Sequence, residues 1–312
     1  MGRLPRLLLL SGLLLVFYGT ALSARAADPY AFNGGLAFED LQHLVSFGPR
    51  PAGSRALEAS REWIIGQLKQ AGCKVVQDHF VGHTPVGNIP MDNLIAELPG
   101  KEPRRIVMLA GHYDTKLEKS FRFVGANDGG SSAAFLIEMA RELAHTQHKL
   151  TYWLVFFDGE EAMRQQWSGD DNTYGSRHFA RKLTSDGELS RIRAMILVDM
   201  IAGKHLTIHW DQNSTRWLNK IVFQEADRLG YSRYFLRLHT AIDDDHMPFV
   251  NAGVSAVDLL GPVGPVTPDA SFGIYWHTAQ DTIQHCSPAS LTIVGRVVKA
   301  TLSALENSPS VQ

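Results

Sequence analysis

Only two cysteines, Cys73 and Cys286, occur in 312 residues. That excludes a thiolate zinc cluster and a disulfide-dense scaffold, so any metal must be held by His, Asp and Glu. The two thiols could close one long loop in an oxidising compartment or stay as separate buried groups, and the sequence does not choose. Basic blocks are also absent from a chain of formal charge −2, which makes nucleic acid a poor partner. No apolar run is long enough to span a bilayer comfortably. The longest, residues 7–16, follows Arg3 and Arg6 and precedes the small residues of Ala24-Arg25-Ala26, the pattern of a secretory signal that is removed. Loss of residues 1–26 takes Arg3, Arg6 and Arg25 and no acid, moving the charge from −2 to −5. The expected product is a secreted or periplasmic chain with no stable membrane insertion. Repeats, low-complexity stretches and linkers are missing too, so residues 27–312 read as one domain.

What is present alternates. Helices are expected near 54–71, 131–144, 174–183, 214–229 and 288–305, and strands near 74–80, 93–98, 105–110, 151–157, 194–198 and 254–260. This order predicts an α/β fold, a single-domain three-layer αβα sandwich around a central mixed, mostly parallel twisted sheet. The two early strands have no helix between them and predict an antiparallel edge.

Chemistry gathers where the apolar runs stop. Thr151-Tyr152-Trp153-Leu154-Val155-Phe156-Phe157 runs into Asp158-Gly159-Glu160-Glu161. Two adjacent carboxylates at the end of a buried strand repel and lose hydration, so they persist only with a cation or a shared proton to compensate them. The run 105–110 ends in Gly111-His112-Tyr113-Asp114, and 196–198 ends in Asp199. Asp128 sits in the turn that opens a helix, and Tyr275-Trp276-His277-Thr278 supplies a second imidazole. An open α/β sheet collects its ligand-binding groups at these strand ends. Zinc bound by oxygen and nitrogen ligands with one position open acts as a Lewis acid or lowers the pKa of bound water. Five suitable ligands are available: His112, Asp128, Glu161, Asp199 and His277. One member of the Glu pair can bind metal while its neighbour, Glu160, carries protons.

With these residues in place, the chain resembles the zinc-aminopeptidase superfamily and, within it, the glutaminyl-peptide cyclotransferases. The resemblance runs from about residue 38 to 305. It is carried by Gly111-His112-Tyr113-Asp114-Thr115-Lys116, Phe123-Val124-Gly125-Ala126-Asn127-Asp128, the Glu pair, Trp167-Ser168, Tyr174-Gly175-Ser176-Arg177-His178, Asp244-Asp245-His246-Met247-Pro248-Phe249 and Trp276-His277-Thr278. It implies that residues 27–312 form a cyclase-like catalytic domain, a monomer acting on peptides or proteins with N-terminal Gln. Asp128, Glu161 and His277 would hold one zinc, with Glu160 as general acid and base. Asp199 and Asp244 would form a hydrogen-bonded acidic network, and Trp167 and Trp276 would wall the substrate pocket. In the aminopeptidase pattern, Asp128 instead bridges two metals, with His112 and Asp199 on the second. The alternative is thus a two-zinc exopeptidase that removes N-terminal residues; one ion is expected and two are accommodated.

Asp114 is expected to orient a neighbouring ligand or turn, and His246 to hydrogen-bond within a helix start. Without the resemblance, Asp243-Asp244-Asp245 reads as a solvated helix N-terminus. The chain departs from the animal cyclases at Asp258, where they have a histidine. A cysteine pair is absent around Gly111 and Ala133-Ala134, and the loop between Leu260 and Tyr275 is longer. Asp258 could join the acidic network, bind a second ion or be neutral.

Overall fold

The computed structural model describes residues 28–308 and residue 2. The expected signal segment therefore falls outside the described residues, apart from residue 2. In chain order the elements are α1 (Gly34–Ser46), α2 (Arg55–Gln70), β1 (Lys74–Thr84), β2 (Gly87–Leu98), β3 (Glu102–His112), α3 (Gly130–Ala144), β4 (Leu150–Phe157), α4 (Tyr174–Ser185), β5 (Ile192–Asp199), β6 (Ile208–Asp211), α5 (Arg216–Arg228), β7 (Phe235–Thr240), α6 (Met247–Asn251), β8 (Ala256–Leu260) and α7 (Pro288–Asn307).

Six strands form one sheet in the order β1-β2-β4-β3-β5-β8. The pairs β3–β4, β3–β5 and β5–β8 are parallel, while β1–β2 and β2–β4 are antiparallel. The sheet is thus mixed and mostly parallel, with its antiparallel part at one edge. Alternation along the strands divides the core. Val107, Leu109, Ile196 and Val198 pack with α1, α2, α3, α5 and α7 on one face. Met108, Ala110, Met195 and Leu197 meet Phe179 of α4 and Phe249 of α6 on the other. Three layers result, and the parallel strands are buried on both faces, as their unbroken apolar runs require.

Several elements depart from the expected pattern. β1 and β2 make a longer hairpin than predicted, registered from Lys74↔Glu97 to Thr84↔Gly87. Pro85, Pro90, Gly82 and Gly87 obscured its alternation. Pro90 is tolerated because β2 pairs with β4 only from Leu94 onward, which leaves that flank open. α1 was hidden by its glycine start, although Asn33 caps it by accepting the Leu36 N–H at 3.1 Å. The small parallel β6–β7 sheet was also unforeseen. Cys73 and Cys286 are both buried and unpaired. No helix among the described residues is long and apolar enough to cross a membrane.

Candidate active site

The C-terminal ends of the parallel strands converge on one cavity of about 310 Å³. His112 closes β3, Glu160 and Glu161 follow β4, and Asp199 closes β5. Asp128 comes from the turn before α3. Gly129, the α3 cap, has φ 77°, and a Cβ there would lie 2.1 Å from the Asp114 carbonyl oxygen. Only glycine allows the chain to turn this tightly beside β3.

The turn carrying Asp128 is fixed from below. Arg50, fully buried, donates to the carbonyls of Leu44, Gly48, Val124 and Gly125. Burial lowers its pKa to about 10, against the pull of Asp281, Asp114 and Asp128. The Asp281 carboxylate accepts the N–H groups of Asn127 and Asp128 at 2.8 and 3.0 Å. Asn127 donates to the Met200 carbonyl and accepts from Ala202 N–H, tying this turn to the end of β5. Asp114 accepts the N–H groups of Glu160 and Glu161 at 3.1 and 3.3 Å, which orients the Glu pair. Asp171 accepts from Met163 and Arg164 N–H and from the Tyr174 hydroxyl, gathering the loop that carries Trp167.

Backbone strain marks the same place. The only non-glycine residues with left-handed φ among the described residues are Thr173, Met200 and His277. Thr173 N–H donates to the Glu160 carbonyl, Met200 follows Asp199, and His277 is itself a candidate ligand. Each such conformation costs on the order of 1–3 kcal/mol and must be held by its surroundings.

Two donor groups share Asp128. Ligand atoms of Asp128, Glu161 and His277 lie within 4.8 Å of one another, and so do those of His112, Asp128 and Asp199. In the first group, His277 Nε2 is 3.1 Å from Glu161 Oε1 and 3.3 Å from Asp128 Oδ2. Burial opposes charging of His277, but Glu161 and Asp128 hold its pKa up at about 9. Asp128 Oδ2 and Glu161 Oε2 are buried with no hydrogen-bond partner. Lys116 Nζ, 3.6 Å from Glu161 Oε2, is too far to satisfy it. Two orphaned carboxylate oxygens and one imidazole fit a zinc ion in chemistry and in burial. In the second group, His112 Nε2 lies 3.0 Å from Asp199 Oδ1 and 3.3 Å from Asp128 Oδ1.

Glu160 is buried, with its Oε2 3.7 Å from His112 Nδ1. Burial holds its pKa well above the usual carboxylate range; His112 opposes this, and Glu161, Asp244 and Asp245 add to it. Asp244 is raised in the same way by burial and then by Asp199 and Asp245. Glu160 couples through charge to Asp244, and Asp244 to Asp199.

Trp167, Ile242, Asp243, Leu260, Phe272 and Trp276 complete the cavity wall. Trp276 stacks on His277 at 3.9 Å and meets Phe272 at 4.8 Å, so the aromatic wall abuts the donor group. The acid run is not a solvated helix N-terminus. Asp244 and Asp245 are buried, and only Asp243 is exposed, at the cavity rim. His246 pairs with Asp211 Oδ2 at 3.1 Å across elements, not within its own helix start. Asp258 is fully buried on β8 with both carboxylate oxygens unpartnered, and its pKa is pushed well up by burial and by Asp244. It joins neither donor group. Sequence reasoning passed over Arg50, Asn127 as a tie, Asp171, Asp245 and Asp281. Each acts through backbone groups or through burial, which leave no spacing to read.

A model of peptidase family M28 matches residues 93–302. A glutaminyl-peptide cyclotransferase of Drosophila melanogaster is 30% identical over 279 residues, covering 80% of this chain and 76% of the fly protein. The crystal structure of an Acidobacteriales bacterium glutaminyl cyclase superposes with a TM-score of 0.84 at 39% identity, covering 90% of this chain and 97% of that one. A Zn-dependent exopeptidase of Parabacteroides distasonis reaches a TM-score of 0.78 at 26% identity, covering 89% of this chain and 99% of that one.

Proposed function

The chain belongs to peptidase family M28 and, within it, to the glutaminyl cyclases, which are acyltransferases; from that premise we propose that it converts N-terminal glutaminyl residues of peptides or proteins to pyroglutamyl with release of ammonia, with zinc and with Glu160 as general acid and base. The observation that carries this reading is a single cavity that joins Glu160 and the Asp128, Glu161 and His277 donors beneath Trp167 and Trp276. Held by those three residues, zinc supplies Lewis acidity for the γ-amide carbonyl.

The remaining steps belong to the chain. The aromatic and aliphatic wall encloses the glutaminyl side chain and excludes water, and confinement brings the α-amine against its own γ-carbon. A bond forms from the α-nitrogen to that carbon, and the bond to the amide nitrogen breaks. Glu160 takes the proton released by the attacking amine and returns it to the leaving nitrogen, which departs as ammonia. Burial and the charge of Asp244 favour keeping that proton on Glu160 between the two transfers, and Asp199 acts on Asp244 in turn. The reading extends to a monomeric, exported enzyme comprising residues 27–312, which N-terminal sequencing and sedimentation of the secreted protein test.

One observation favours a second reading. The His112, Asp128 and Asp199 group offers a further metal position, as a two-zinc exopeptidase requires. Incubation with a Gln-initiated and a Leu-initiated peptide separates the two. Mass spectrometry should find loss of ammonia from the first and the second intact, with about one zinc per chain by elemental analysis. Stepwise loss of residues with two zincs would reverse the ranking.

A further inference from the structure

A second cavity, of about 120 Å³, shares Ile242, Leu260 and Phe272 with the first. Its divider is firmly built. Ile242 N–H donates to Asp211 Oδ1 at 3.0 Å, and the Ile242 carbonyl accepts from Asn213 Nδ2 at 2.5 Å. Phe272 is held from the other side, its carbonyl accepting Val263 N–H at 2.7 Å and its ring packed on Trp276. The outer wall comes from the longer loop after β8, with Pro262, Val266 and Ser271, and from Thr207, His209 and Thr240 near the β6–β7 sheet.

Cyclisation consumes only the side chain and amine of the first residue. The rest of the peptide stays attached to its α-carbon and must leave over the rim of the first cavity. Resting on the cyclase reading above, we infer that the cavity beyond Ile242 and Phe272 is a subsite for the side chain of the residue following the glutamine, and that it takes uncharged, apolar side chains. No lining residue carries a formal carboxylate, ammonium or guanidinium. Half-buried His209 engages Thr240 Oγ1 through Nδ1 at 3.2 Å, and burial lowers its pKa, which keeps the ring neutral at pH 7. Val266, 47% exposed, is a large apolar side chain that such a substrate would cover. The arrangement contrasts with the first cavity, whose lining includes six carboxylates.

The test is a series of Gln-X peptides with X as Leu, Phe, Gly, Glu or Lys, followed by ammonia release. Leu and Phe should exceed Gly, Glu and Lys in kcat/KM by about tenfold, the scale of filling a small apolar pocket. In Val266→Glu the Leu-to-Gly ratio should collapse toward one and Lys should gain on Leu. Ser271→Tyr, which fills the cavity from an exposed loop position, should collapse the same ratio and serves if the first variant does not fold. Cyclisation of every peptide at similar kcat/KM would overturn the subsite and leave the cyclase reading standing. Failure of the wild-type protein to cyclise any Gln peptide would overturn both.

Discussion

Asp128 belongs to two donor groups that match in ligand chemistry and differ in access. Glu161 and His277 border the large cavity, and the His277 side chain is 16% exposed. His112 is at 1% and lies outside the cavity lining, behind Asp199. Each group has one internal contact, His277 to Glu161 at 3.1 Å and His112 to Asp199 at 3.0 Å, and each keeps buried atoms without partners: Asp128 Oδ2 and Glu161 Oε2 in the open group, His112 Nδ1 in the inner one. Counting His, Asp and Glu therefore gives two equal candidates. Access makes them unequal, and it favours the open group as the site that turnover depends on.

The largest effect should come from removing a donor of the open group. His277→Ala or Glu161→Gln should lose zinc by elemental analysis and lower turnover by about a thousandfold or more, because little else can take up the developing charge. Chelator dialysis of the wild-type protein should do the same, and added zinc should restore the wild type but not the variants. Activity that survives complete zinc removal would break the assignment.

Next is the neighbour that shares the strand end but not the donor group. Glu160→Gln keeps size and removes the group that accepts a proton, so turnover should fall by about two orders of magnitude or more while zinc is retained. The adjacent glutamates should thus fail differently, one in chemistry and one in metal retention. If Glu160→Gln loses zinc while Glu161→Gln keeps it, their roles are inverted.

The inner group gives the test that sharpens the comparison most. If His112 serves mainly to hold Asp199 and Asp128, His112→Asn should keep about one zinc per chain and reduce turnover only about tenfold, the scale of losing an orienting partner of a ligand. Loss of one of two bound zincs with abolition of turnover would make the inner group a working metal position and favour the exopeptidase reading.

These outcomes bear on what the residues could say before any coordinates. Strand ends were legible because β3, β4 and β5 are buried on both faces, so their apolar runs stop abruptly at His112, Glu160 and Asp199. The aromatic wall was legible only because Trp167 and Trp276 sit close in sequence to Glu161 and His277. What escaped was set by distance along the chain. Asp281 meets Asp128 across 153 residues, and Arg50 meets Gly125 across 75, with backbone atoms that any residue could supply. The burial of Asp244 and Asp245 was likewise set by tertiary packing, while their sequence spacing fitted a solvated helix start equally well.

The smallest effect belongs to an acid whose partners are built in, far from both donor groups. Asp78 on β1 accepts from Lys182 Nζ at 2.7 Å and from Asn93 Nδ2 at 3.2 Å, with His178 Nε2 3.3 Å away. Burial alone would raise its pKa, but the His178, Lys182 and Asn93 contacts prevail and lower it from 3.8 to about 2. A carboxyl whose folded pKa is depressed adds stability above its unfolded value, and that stability is lost as pH falls through the folded value. The Asp78 contribution should therefore be complete above about pH 4 and fade toward pH 2. Lys182 is 45% exposed, so screening limits it to about 1 kcal/mol. Asp78→Asn should lower urea-unfolding stability by that amount at pH 6, by less at pH 3, and leave turnover within about twofold because no cavity-lining group is touched. A loss of equal size at both pH values would show that packing, not the ion pair, sustains this corner. A large loss of turnover with zinc retained would mean that α4 couples the edge hairpin to the Glu160 loop, since Tyr174 N–H at its start donates to the Gly159 carbonyl at 2.8 Å.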